Sequence, residues 1–139
     1  MGPRTVAEFV ADCGWDYALN CLDRSISSTV FSGNVLHAHS NKCIVQRRRQ
    51  QTARHDWELG ELSKGEARGL WQDIDALHSI ESSNECWHQS ALLSELFGEE
   101  WHYPLDGKAV EENRKFSYLR RVVEAVQHAL RQEKQQVAA

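Results

Sequence analysis

The chain has 139 residues, of which 41% are apolar and 26% charged, with a net charge of −4. That length fits one domain and is enough to bury a core without help from a disulfide or a metal. The composition excludes a disordered or low-complexity chain, and no apolar run approaches the roughly 18 residues of a membrane helix.

Thr5 and Glu8 form the first helix-start signal, a capping box. Val6, Phe9, Val10, Cys13 and Tyr17 follow at helical spacing, so a helix is expected over about 6–22, weakened at Gly14. The next stretch, SSTVFSGNVLHAHSNKCIVQRR, is rich in β-branched residues and contains Gly33-Asn34 and Asn41-Lys42. It reads as a short antiparallel meander with strands near 28–32, 35–39 and 43–48. Ser63 with Glu66 marks a second capping box, and Ala67, Leu70, Trp71, Ile74 and Leu77 form the stripe behind it. Ser82 with Glu85 opens a third helix, which Gly98 stops. Residues 99–107 read as a loop. Asp106 then caps a last helix over about 108–134, with Phe116, Leu119, Val123, Val126 and Leu130 on its buried face. The expected fold is α+β and mostly helical: about four helices packed on the meander in a single globular domain over 1–139, with frayed ends near 1–4 and 135–139.

Glu8 and Asp12 interrupt the apolar stretch that a signal peptide would need, and the four cysteines form no C-x-x-C pair. Both features point to a cytoplasmic, reducing compartment with buried thiols. Charge is segregated along the chain. Residues 61–107 carry ten Asp/Glu against two Lys/Arg. The flanking segments are mildly basic, an arrangement that bears on the choice of partner.

No nucleophile elbow, phosphate-binding loop, H-E-x-x-H or dinucleotide fingerprint occurs, so no catalytic residue is assigned. Three binding chemistries remain. The first is contact with another protein of basic surface. Trp101 and Tyr103 would anchor it, and Glu99, Glu100, Asp73 and Asp75 would steer it. The second is RNA or DNA binding by Lys42, Arg47, Arg48, Arg49 and Arg54, a cluster dense enough to neutralise phosphates. A strand would split these arginines between two faces, and few aromatic residues lie near to stack on bases. The third is zinc. On a strand, His37 and His39 point the same way, and Cys43 lies opposite on that face. The near-heptad stripe of the last helix also offers a homodimer seam. The reading adopted is a non-catalytic binding protein of the adaptor, inhibitor or immunity type, with no cofactor. Nucleic-acid binding and a zinc site are the alternatives.

Overall fold

The computed structural model describes residues 4–49, 59–105 and 107–139. The expected cap at Asp106, Arg54 of the basic cluster and the end at 1–3 lie outside these residues. The fold is α+β and mostly helical, with one small antiparallel sheet of two strands. The chain forms two compact units, Met1–Thr29 with Glu112–Ala139, and Val30–Glu111.

The first unit is built from α1 (Val6–Asp12), α2 (Trp15–Leu22) and α7 (Arg114–Ala138). The capping box before α1 is present: Glu8 N donates to Thr5 Oγ1 at 3.2 Å, and Thr5 N donates to the Glu8 carboxylate at 2.9 Å. The single helix expected over 6–22 is instead broken. Cys13 and Gly14 are extended, with ψ of 160° and 145°. Glycine weakens a helix at this point, and the break turns carbonyls outward that need donors. α7 supplies them. Gln127 Nε2 donates to Val10 O at 3.0 Å and Cys13 O at 2.9 Å, and Arg131 Nε donates to Ala11 O at 2.7 Å. This explains why Gln127 is buried while Val126, expected on the buried stripe, is 47% exposed. α7 begins later than expected because Asn113 is its cap, accepting from Lys115 N and Phe116 N. It also runs to Ala138, through the end expected to fray. Trp15 meets Phe116 edge-on at 6.2 Å and lies 4.1 Å beneath the Arg120 guanidinium.

The sheet pairs β1 (Thr29–Phe31) with β2 (Val110–Glu112). The first expected strand therefore exists, but its partner is distant in sequence. The second and third expected strands, 35–39 and 43–48, are not formed. Those residues lie in one helix, α3 (Gly33–Arg48), capped by Ser32, whose Oγ accepts from Val35 N. Its buried positions are Gly33, Leu36, Ser40, Ile44 and Arg47, steps of three, four, four and three. The spacing is helical, but only Leu36 and Ile44 of the five are large and apolar, so an apolar count misses the stripe. Gly33 is not a hairpin glycine. A Cβ there would lie 2.4 Å from Leu77 O and 2.6 Å from Ile80 O, so backbone packs directly on backbone.

α4 (Lys64–Asp73) starts at its expected capping box and then tightens into a 3-10 helix, Ile74–Ser79. A second 3-10 helix, Ser83–Gln89, leads into α5 (Ser90–Phe97). α5 stops at Gly98, whose φ of 93° suits glycine. The expected loop contains a short helix, α6 (His102–Leu105). Leu36, Ile44, Leu70, Ile74, Leu77, Leu93 and Leu96 form the centre of this unit, each at most 2% exposed. Trp71, expected on the buried stripe, is 40% exposed and donates its Nε1–H to Asn41 Oδ1.

The capping box of α4 gives a pH-dependent prediction. Hydrogen bonds from Ser63 hold the Glu66 carboxyl below its usual value of 4.5. A depressed folded pKa means stability that is present above the unfolded value and lost as pH falls through the folded one. Glu66→Gln should therefore unfold at a lower temperature than the unmodified protein at neutral pH. The gap should begin to narrow near about pH 4, where the carboxyl of the unfolded chain takes up its proton, and close as pH falls through the lower folded value. Thermal melts across this range check it, and a gap that does not narrow in acid contradicts it.

Candidate functional site

A concave surface lined by aromatic rings lies in the Val30–Glu111 unit. It is built where the 83–89 helix meets the turn after α5. Cys86 points into the core, and Trp87, its neighbour, is 56% exposed. The chain turns at Gly98, buries Trp101 at 4% exposure, and leaves Tyr103 70% exposed. The rings contact one another. Trp87 meets Trp101 at 4.8 Å and His102 at 5.5 Å, and His102 lies 4.2 Å from Tyr103. Together with Phe31 and Asn84 they line a cleft of about 510 Å³. His102 Nδ1 is shielded from solvent with no hydrogen-bond partner among the described residues. Burial pushes the Cys86 thiol up, which keeps it protonated and inert.

Both candidate anchors line the cleft, Tyr103 as an exposed ring and Trp101 as a buried one. Trp101 is part of the core and acts as the fixed wall behind Trp87. Trp87 was absent from the expected contact set, although the two Trp-His pairs of the sequence, 87–88 and 101–102, hold the signal. Three of these four residues share the cleft. The four acidic residues are all exposed, but none lines it. Glu99 and Glu100 precede Trp101 at the turn. Asp73 borders a separate shallow depression with Glu95. Asp75 faces His37 at 3.6 Å.

Two of the arginines, Arg47 and Arg48, make hydrogen bonds within the fold. Arg47 is 7% exposed and its guanidinium donates to Gly60 O at 3.1 Å and Glu95 O at 2.8 Å. Arg48 donates to Leu62 O at 2.9 Å. One turn before Arg47, Cys43 donates to Leu96 O at 3.1 Å. Glu95 and Leu96 are in the last turn of α5, where carbonyls lack helical partners. Cys43 and Arg47, at i and i+4 on α3, thus cap the end of another helix. Lys42 and Arg49 are exposed.

The expected zinc set, His37, His39 and Cys43, is not brought together. On a helix, residues two apart point to different sides. His39 stacks on Phe97 at 5.2 Å, and desolvation, then Lys108 and Lys42, hold its pKa below the usual 6.5. His37 instead meets His78 and Asp75.

These features define a mostly helical protein with an aromatic cleft at its surface and structural arginines beneath a basic-looking sequence. Over residues 1–132 the chain matches the model of a family described as a phage family, and it belongs to that family. No curated protein and no solved structure matches it. Among the described residues, no helix is long and apolar enough to cross a membrane.

Proposed function

We propose that this phage-family chain is a non-catalytic accessory protein that binds another protein through the cleft bearing Trp87 and Tyr103. The observation that carries the reading is the exposure of these two large aromatics on a wall fixed by Trp101. Tryptophan and tyrosine dominate binding energy at protein interfaces, and a rigid mounting lowers the entropy cost of using them. The acidic balance of residues 61–107, which surround the cleft in sequence, favours a partner of basic surface. Nucleic-acid binding is the weaker reading, since Arg47 and Arg48 already serve backbone carbonyls.

The test is capture of proteins from infected-cell extract on the immobilised chain, with and without nuclease. The expected result is a bound protein that survives nuclease and is lost from the double variant Trp87→Ala, Tyr103→Ala. Retention that disappears with nuclease, or that ignores both aromatics, overturns the reading.

A further inference from the structure

We infer that His37, His78 and Asp75 form a binding site for a divalent transition-metal ion of the zinc class, separate from the aromatic cleft. One ligand atom from each of the three lies within 4.8 Å of the others. His37 Nε2 and Asp75 Oδ1 are 3.6 Å apart, too long for a good hydrogen bond. Metal bonds of 2.0–2.1 Å at a tetrahedral angle place ligand atoms about 3.3 Å apart, so this pair already has nearly the edge length of a zinc site. Asp75 is largely exposed and free to move the small distance needed.

The backbone explains the convergence. Asp75 and His78 are three apart on a 3-10 helix, where residues i and i+3 eclipse on one face. His37 stands one turn beyond Asn34 on α3. The two helices are joined by the direct contact of Gly33 with the carbonyls of Leu77 and Ile80, and by buried Leu36, Ile74 and Leu77 beneath. The site therefore rests on rigid elements, as a preorganised site requires. The imidazoles of His37 and His78 stack at 3.9 Å and 26°, which sets their ring edges side by side. Asn34 Oδ1 lies 2.7 Å from His78 Nδ1. An amide oxygen only accepts, so Nδ1 is the donor in this pairing. A ligating histidine is normally oriented by such a second hydrogen bond. Two imidazoles and one carboxylate leave one tetrahedral position for water or a partner's side chain.

Cobalt(II) is the probe, added to the chelator-treated 139-residue chain and then displaced by zinc. The inference predicts uptake of one cobalt per chain, visible bands of tetrahedral strength, and no near-ultraviolet thiolate-to-cobalt band. His78→Ala and Asp75→Ala each alter an exposed side chain, and circular dichroism verifies their folding. Each should weaken binding by more than the roughly 10–100-fold that loss of an orienting neighbour alone costs. His39→Ala should bind as the unmodified protein does. A thiolate band, uptake that persists in His78→Ala, or no stoichiometric uptake would each overturn the site.

Discussion

Gly33→Ala is expected to cost about 3 kcal/mol, near the upper end of what overpacking does. The added methyl would meet Leu77 O at 2.4 Å and Ile80 O at 2.6 Å. Both are backbone atoms, so no side chain can rotate away. Relief requires α3 to separate from the 74–79 helix, and that separation exposes Leu36 and Leu77, each 0% exposed in the fold. Such a loss would lower the melting temperature by more than 5 °C for a chain of this size. Chemical denaturation gives the free energy directly. A change below about 0.5 kcal/mol, the ordinary range for surface substitutions, would show that the close approach is absent.

Arg47→Ala should cost a similar amount, about 3 kcal/mol. Two carbonyls, of Gly60 and Glu95, lose a charged donor, and hydrogen bonds to charged groups are worth roughly 1.5–3 kcal/mol. The buried aliphatic stem adds packing that alanine cannot replace. Arg49→Ala, at an exposed position, should be close to neutral. The contrast between neighbours is the diagnostic result. Equal small effects at both positions would mean that the arginines serve solvent or a ligand rather than the fold. Replacing all three arginines to test nucleic-acid binding would therefore confuse unfolding with lost contact. Lys42→Ala with Arg49→Ala is the cleaner probe.

The sequence was most legible where the chemistry is local. The capping boxes at Thr5/Glu8 and Ser63/Glu66 and the stop at Gly98 follow from side chains acting on their own backbone neighbours. α3 was illegible because its buried stripe includes Ser40 and Arg47, and its β-branched residues imitate strands. Arg47 is buried because α5 ends beside it, a tertiary fact that no local pattern contains. Gly33 shows the same limit, since its reason lies in carbonyls more than forty residues away. Of the candidate contact residues, Tyr103 is exposed and Trp101 is core. Burial of an aromatic in a short turn depends on what passes beneath it. His37 lies beside His78 and Asp75, not beside the His39 and Cys43 that a strand register supplied.

The proposed function turns on whether Trp87 and Tyr103 carry binding energy. The most direct measurement is the equilibrium affinity of the captured protein for the unmodified chain, Trp87→Ala and Tyr103→Ala, each verified as folded. If the cleft is the interface, at least one substitution should cost about 2 kcal/mol, roughly a thirtyfold loss of affinity. Affinities unchanged in both variants would contradict a cleft interface and leave the aromatics as exposed surface only.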